Sequence, residues 1–290
     1  MHESAGGSYT VELDDGRRIE ASLRGRVKRE TTHQGQVVIG DRVGVAESDD
    51  SWTVEAVEPR ESALVRRGRG GRAGKILAAN LDRVLTVVAL HDPPANPELV
   101  DRLLALVEAS GMRPVLVVNK VDLAGGSGDL AKLADLYGSL GYRVLPLSAH
   151  SGEGVDELRA LLAEGSSALV GPSGVGKSSL LNALEPGLAL KVGELSRKTG
   201  TGRHTTVGSR LIRLESGGLV ADTPGFSDVG LWGVAPEDVE GCFPEIEAEA
   251  RGCHFRSCTH RTEPKCAVRQ AVDDGGLFDS RYASYLALRA

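Results

Sequence analysis

The sequence has no long hydrophobic run. Apolar stretches in its 290 residues are short, as in Val84 to Leu90. None approaches the roughly 20 residues with which a helix crosses a bilayer. The N-terminus also lacks the basic stretch followed by an apolar run that marks a secreted protein. These two absences predict a cytoplasmic protein.

No strong excess of one charge sign dominates the chain, whose formal net charge is −6. The acidic excess lies in the middle, whereas residues 250–290 carry seven basic and four acidic side chains. Contact with nucleic acid is therefore expected through the ends of the chain. Hydrophobic residues make up 41% of the chain, enough for packed cores, and the length predicts two or three domains.

Residues 1–65 have the pattern of short β-strands. The segments YTVEL and RIEASL alternate apolar and polar residues around the turn DDG, and VVIGDRVGV and WTVEAV follow them. About five short strands without a helical pattern predict an OB-fold-like β-barrel. An SH3-like barrel or an edge subdomain is the alternative.

Residues 66–80 are predicted to be a basic linker. The stretch RRGRGGRAGK holds five basic residues, four glycines and no acidic residue. Such a composition cannot bury a core, and its charge suits the phosphates of RNA. From the sequence alone we favour a solvated linker over a segment that contacts RNA.

Strand and helix patterns alternate through residues 81–232. The apolar segments RVLTVVAL and RPVLVVNK flank a helix that Asn96 caps and Gly111 ends. Further strand and helix patterns follow up to a strand before Gly171. The alternation predicts an α/β domain with a parallel sheet covered on both faces. The residues expected on one apolar face of the first helix are Leu99, Leu103, Leu106 and Val107.

The stretch GPSGVGKSS satisfies the P-loop pattern G-x-x-x-x-G-K-S between a strand and a helix. Its backbone N–H groups are expected to surround the β-phosphate of a nucleotide. Lys177 would neutralise the β- and γ-phosphate oxygens, and the Ser178 hydroxyl would bind Mg²⁺. The predicted nucleotide-contacting residues of this loop are Gly171, Pro172, Ser173, Gly174, Val175, Gly176, Lys177, Ser178 and Ser179.

The tetrapeptide NKVD follows a buried strand and predicts that the base is guanine. The Asp122 carboxylate can accept hydrogen bonds from guanine N1–H and the 2-amino group, a pair that adenine does not offer. Asn119 can bridge loops and contact the base, while the Lys120 stem can cover the ring. The segment SAH ends the next strand, so that Ser148 and Ala149 are expected to bring a backbone N–H near guanine O6.

The segment DTPG closes a later strand and predicts the γ-phosphate side of the site. Asp222 would hold Mg²⁺ through water, and the Gly225 N–H would meet the γ-phosphate. The preceding stretch SRKTGTGRHTT predicts a switch that places a threonine on Mg²⁺, and we favour Thr206 over Thr205. These segments resemble the five GTPase motifs in the order 4-5-1-2-3, which predicts a circularly permuted GTPase.

Residues 233–290 are predicted to form a mostly helical domain around one structural Zn²⁺. The spacing C-x4-C-x-H-x5-C would supply three thiolates and one imidazole to a closed tetrahedral site. His254 competes for the fourth position. Three free thiols are the alternative, but the segment RSCTHRTEPK is too polar to bury thiols as core residues. The predicted ligands are Cys253, Cys258, His260 and Cys266.

Together, the barrel, the permuted motifs and the knuckle resemble the ribosome small-subunit-dependent GTPase A (RsgA) family over nearly the whole chain. The similar segments are IGDRV, EPRESALVRR, ILAANLDRVLTVVA, GPSGVGKSSLLNAL, GRHTT and DTPGF. The resemblance implies a Mg²⁺-dependent GTPase that binds the 30S subunit and its 16S rRNA and acts late in subunit maturation. It also implies slow hydrolysis of GTP alone and faster hydrolysis on the subunit. We expect a monomer.

The same resemblance makes His204 the candidate to position the attacking water. Phe226 follows DTPG, where many GTPases place a glutamine for that purpose. His204, Lys177 and Thr206 would then form the catalytic set. The alternative is that His204 contacts rRNA or another loop.

Two other functions stay open from the sequence. One is an RNA-docking protein that uses GTP as a clamp, with hydrolysis only resetting it. The other is a different P-loop enzyme, such as an ATPase or a kinase with a zinc domain, against which NKVD argues.

Overall fold

The computed structural model describes residues 1–5, 7–25, 27, 36–48, 51–66, 75–126, 128–188, 209–222 and 234–290. The strands in these ranges are β1 (Glu3–Ala5), β2 (Ser8–Glu12), β3 (Arg18–Leu23), β4 (Val43–Ser48), β5 (Ser51–Val57), β6 (Ala63–Arg66), β7 (Lys75–Ala79), β8 (Arg83–Ala89), β9 (Arg113–Asn119), β10 (Arg143–Pro146), β11 (Ser166–Val170), β12 (Ser209–Arg213) and β13 (Leu219–Asp222). The α-helices are α1 (Pro97–Ala109), α2 (Asp129–Ser139), α3 (Val155–Leu161), α4 (Lys177–Leu184), α5 (Pro244–Ala250), α6 (Ala267–Asp273) and α7 (Asp279–Leu288). Short 3-10 helices cover Val121–Leu123, Pro186–Leu188 and Pro236–Cys242.

One sheet joins the N-terminal strands to the α/β region in the described part of the chain. Its strand order is β10-β9-β8-β11-β13-β12-β1-β2-β3-β5-β4. The first five strands in this order (β10, β9, β8, β11 and β13) are parallel to one another. β12 is antiparallel to β13, and β1 pairs antiparallel with β12. The parallel part therefore has the alternating strand–helix construction that the sequence predicts.

The parallel strands are covered on both faces, because successive side chains of a strand point to opposite sides. Leu85 and Val87 of β8 pack in a core with residues of α3 and α4. Val88 of the same strand packs in a second core with residues of α1 and α2. Full burial of each such side chain stabilises the fold by roughly 1.5–3 kcal/mol. The helices cover the two faces of the sheet, so the edge where these strands end is the place where a ligand could bind.

The N-terminal strands have a core of their own. The predicted hairpin is present: β2 pairs with β3 around a turn in which Leu13 N–H donates to Arg17 O at 2.8 Å. β3 also pairs with β5, and β4 with β5. Val11, Ala21 and Val54 are buried where these strands pack together.

The structure differs from the sequence prediction at the linker of residues 66–80. β6 and β7 form an antiparallel pair, and both boundaries predicted for the linker fall within or next to these strands. Leu77, Ala78 and Ala79 are buried, because the apolar residues that follow the basic stretch join the core beneath β8. Residues 67–74 of the basic stretch lie outside the described residues.

Helix α1 is buried on more sides than the single apolar face that its sequence predicts. Asn96 caps it, its side chain accepting from Glu98 N–H as the sequence predicts, and Leu103, Leu106 and Val107 are buried. Ala105 on another side packs in the core of the C-terminal helices. The C-terminal helices therefore pack directly on α1. None of the helices in the described ranges is both long and apolar enough to cross a membrane.

Candidate nucleotide and metal sites

The predicted nucleotide motifs meet at one edge of the parallel sheet. β8, β9, β10, β11 and β13 all end there, and the register places Asn119 beside Ala89 and Val118 beside Pro146. The P-loop follows β11, which lies between β8 and β13. Ligands of open α/β sheets bind at this carboxyl edge. The sheet thus assembles motifs that are about 100 residues apart in the chain.

At two positions of the P-loop only glycine fits, because other atoms lie where a Cβ would be. Gly171 has φ +153°, and a Cβ there would lie 2.1 Å from Val87 O. Gly176 has φ +95°, and a Cβ there would lie 2.3 Å from Asn119 Nδ2. Side chains at these positions would displace the loop, because L-residues rarely adopt such φ values and the space is filled. The loop can therefore follow the path that leads into the N-terminus of α4.

Lys177 lies inside the P-loop. Its Nζ donates to Gly171 O at 2.7 Å and to Pro172 O at 2.8 Å. Burial lowers the pKa of this ammonium to about 8, because the charged form is poorly solvated there. An anion bound in the loop would supply the missing counter-charge. The ammonium is therefore placed to gain more from phosphate than an exposed lysine would.

Binding of GDP is expected to take up protons near pH 8. Phosphate oxygens should raise the pKa of Lys177, so a group about half-protonated in the free protein becomes protonated in the complex. Calorimetry in two buffers with different ionisation enthalpies should measure an uptake of about half a proton at pH 8 and about a tenth at pH 7. No rise in proton uptake between these pH values would contradict the pKa and its cause. Lys177→Arg, which keeps the charge without titrating in this range, is the matched control.

Asn119 connects three motifs through its side chain. Its Nδ2 donates to Val175 O of the P-loop at 2.7 Å, and its Oδ1 accepts from Ala149 N–H at 3.0 Å. The residue is buried, so both hydrogen bonds lie away from water. Next to Ala149, the Ser148 hydroxyl oxygen accepts from Ser151 N–H at 3.0 Å. The base-reading and phosphate-reading loops are therefore fixed relative to each other.

Lys120 and Asp122 lie on the rim of this edge. Lys120 has φ +65° and donates from Nζ to the carbonyl oxygen of Asp92, in the loop after β8. Asp122 is exposed in the 3-10 turn Val121–Leu123. No motif pointed to the Asp92 carbonyl, since a backbone acceptor leaves no mark in the sequence. The predicted contact of Asp122 with guanine stays a prediction.

The metal side of the nucleotide site is described in part. Ser178 is buried in the first turn of α4, directly after Lys177. Asp222 ends β13, which pairs with the P-loop strand β11. The predicted roles of His204, Thr206 and Gly225 lie outside the described residues. A Mg²⁺ ion prefers such hydroxyl and carboxylate oxygens, so the residue types fit it.

Four side chains in residues 253–266 lie close enough together to hold a metal ion. One ligand atom from each lies within 4.8 Å of all the others, and three of the four residues are buried. Three sulfur atoms and one nitrogen are the donor set of structural Zn²⁺ sites, with no position left for substrate. The members are Cys253, Cys258, His260 and Cys266.

The orientation of His260 also fits a zinc ligand. Its Nδ1 lies 3.3 Å from Cys266 Sγ and 3.5 Å from Cys253 Sγ, while Nε2 is 2.8 Å from Glu240 Oε2. A carboxylate on the outer nitrogen fixes the tautomer in which the inner nitrogen is free to bind metal. His254, the competitor in the sequence, instead stacks edge-on against Phe255 at 4.8 Å.

Comparison with known proteins identifies close relatives of the whole chain. The family model for the RsgA GTPase matches residues 57–232. A small ribosomal subunit biogenesis GTPase RsgA of Gemmatimonas aurantiaca is 45% identical, over 99% of this chain and 94% of its own length. A protein of the same name from Moorella thermoacetica is also 45% identical, over 98% and 93%.

Two solved structures share the fold. YjeQ from Thermotoga maritima superposes with a TM-score of 0.79 at 31% identity, covering 99% of this chain and 97% of its own. YloQ, described as a circularly permuted GTPase, gives 0.75 at 30% identity, covering 100% and 94%. The fold class predicted from the motif order is thereby confirmed.

Proposed function

This chain belongs to the RsgA GTPase family, and we propose that it hydrolyses GTP on the 30S ribosomal subunit late in maturation of that subunit. The observation that carries the nucleotide assignment is the position of Asn119, which hydrogen-bonds the P-loop and the Ser148–Ala149 loop at once. The ribosomal assignment is supported by the names of relatives that match nearly the full chain.

Guanine is held at the rim of the site in this proposal. Asp122 accepts from N1–H and the 2-amino group, while the Lys120 stem lies over the ring. Lys120 Nζ donates to the Asp92 carbonyl oxygen, and this contact ties the lysine side chain to the loop after β8. Asn119 holds the loops at the spacing that a nucleotide requires.

The phosphates lie in the P-loop at the N-terminus of α4. Lys177 exchanges its two carbonyl contacts for the β- and γ-phosphate oxygens, and backbone N–H groups of the loop supply further donors. Ser178 and Thr206, with Asp222 through water, would hold Mg²⁺, which would supply positive charge beside the phosphates. His204 positions the attacking water, and Gly225 donates to the γ-phosphate.

The C-terminal domain would serve as a folded contact surface kept in shape by one Zn²⁺. A protein that recognises the subunit meets 16S rRNA, and the excess of basic residues in 250–290 supports a contact from this end. A ribosomal client also supports work in the cytoplasm. We propose that the protein acts there as a monomer.

GTP turnover is expected to rise strongly when purified 30S subunits are added. The 30S subunit would complete the catalytic geometry around His204. For comparison, an arginine that a partner protein supplies to the site accelerates other GTPases by about 10³–10⁵-fold. Phosphate release should be measured with 30S subunits, with 50S subunits and with neither. ATP in place of GTP is the nucleotide control. Turnover that 30S subunits leave unchanged, or that 50S subunits raise equally, would contradict the proposed client.

A further inference from the structure

Asp101 of α1 is a buried charge at the junction of two domains. It is fully buried, and its buried neighbours along α1 are the apolar residues Val100, Leu104 and Ala105. Its Oδ1 accepts from Arg281 Nη1 at 2.9 Å and from Tyr137 OH at 2.8 Å, and its Oδ2 accepts from Ser284 Oγ at 2.6 Å. Arg281 and Ser284 belong to α7, whereas Tyr137 belongs to α2. One carboxylate thus joins two helices of the GTPase domain to the C-terminal domain.

Arg281 is held firmly on the C-terminal side. Its Nε donates to Glu245 of α5 at 2.7 Å, and its guanidinium lies 4.5 Å from the ring centre of Phe243. The side chain is 1% exposed. A planar guanidinium with fixed partners can orient the carboxylate that it binds. Arg281 lies on α7, the helix that packs against α1. Tyr285 of the same helix packs beside the ring of His260, a predicted zinc ligand.

The contacts continue from Asp101 to the guanine site. The Tyr137 hydroxyl lies 3.3 Å from Pro97 O, in the first turn of α1, as well as contacting Asp101. The loop between β8 and α1 ends at this turn. The carbonyl oxygen of Asp92 in the same loop accepts from Lys120 Nζ. The backbone of residues 93–96 connects Pro97 to Asp92, and the other steps are direct contacts. Displacement of the first turn of α1 would therefore move the acceptor that holds Lys120.

We propose that Arg281 is a positioning residue for guanine binding, acting from the C-terminal domain through Asp101, Tyr137 and the Asp92 loop on Lys120. This inference rests on the guanine site proposed above. It makes the base site, but not the phosphate site, dependent on how the C-terminal domain is docked. Coupling of this kind is reciprocal, so guanine nucleotide should also favour the docked domain.

The test uses two variants of the full-length protein and one control. Arg281→Met removes the guanidinium, and Tyr137→Phe removes one hydroxyl and leaves the packing in place. Arg289→Met is the matched control, because Arg289 follows the same helix and donates to Tyr285 OH at 2.7 Å. The dissociation constants of GDP and of inorganic pyrophosphate should both be measured with Mg²⁺. GDP should bind about fivefold more weakly to the two variants, whereas pyrophosphate binding and the control should be unchanged.

Repeating both substitutions in a Lys120→Ala background tests whether their effect on GDP binding passes through Lys120. If Arg281 acts through Lys120, neither substitution weakens GDP binding further in that background. Full additivity, or equal weakening of GDP and pyrophosphate binding, would overturn the proposal. Should Arg281→Met not fold, Arg281→Lys takes its place, because it keeps the positive charge between Asp101 and Glu245 but not the planar guanidinium that contacts both. A wild-type protein that binds pyrophosphate but not GDP would instead refute the guanine site itself.

Discussion

Asp122→Asn should bind GDP at least about a hundredfold more weakly than the wild-type protein and should acquire affinity for xanthosine diphosphate. Two hydrogen bonds to a charged acceptor contribute about 1.5–3 kcal/mol each, and an amide cannot accept both from guanine. Xanthine offers a carbonyl oxygen in place of the 2-amino group, which the new amide can meet as a donor. Competition against a fluorescent GDP analogue would measure both affinities.

The position of Asp122 allows this substitution to change nucleotide binding with little effect on protein stability. The residue is exposed on a short turn, so the loss of its charge should change the free energy of unfolding by no more than about 0.5 kcal/mol. Asp135→Asn, an exposed residue of α2, is the matched control for net charge. Unchanged GDP affinity in Asp122→Asn would show that NKVD does not read the base in this protein.

Cys258→Ser should abolish zinc binding and unfold the C-terminal domain. Cys258 is 6% exposed, and its thiol is one of the four donors in the cluster. Structural zinc contributes roughly 10–16 kcal/mol to small domains near pH 7, more than the apolar core of residues 234–290 is expected to replace. Zinc content by mass spectrometry and hydrogen exchange across residues 234–290 would measure both effects.

His254→Ala is the control for the zinc prediction. His254 is adjacent to Cys253 in the chain, but its ring packs on Phe255 outside the cluster. Its replacement should leave zinc content and exchange protection as in the wild type. Retention of zinc by Cys258→Ser, or its loss from His254→Ala, would show that the ligand set is wrong.

The elements of the α/β region could be predicted because their signals are local. Asn96 marks the start of α1 through a hydrogen bond to a residue two positions away, and Gly171 marks a loop whose neighbours are a strand and a helix. The relative order of the motifs then revealed the permutation. Such features depend on a few adjacent residues, and the tertiary structure did not override them.

Features that depend on distant partners could not be predicted. Asp101 looks like the polar residue of an amphipathic helix, and its burial is explained by partners far along the chain, above all Arg281, 180 positions later. The sequence predicted His260 as a zinc ligand but kept His254 as a competitor, and the contact of His260 with Glu240, which comes from another element, could not be predicted. The Asp92 carbonyl that holds Lys120 carries no side-chain signature at all. In each case the missing information is a long-range contact, not an ambiguous local pattern.

The pairing of β1 with β12 has a consequence for how the protein is made. Glu3 lies opposite Arg210, so about 200 residues are synthesised between the two partners. At roughly 10 residues of synthesis per second, β12 leaves the ribosome on the order of 20 seconds after β1. The hairpin of β2 and β3 can form at once, but the continuous sheet cannot be completed in the order of translation. β1 can pair with β2 as soon as both are synthesised, whereas its other edge stays unpaired until β12 has been made.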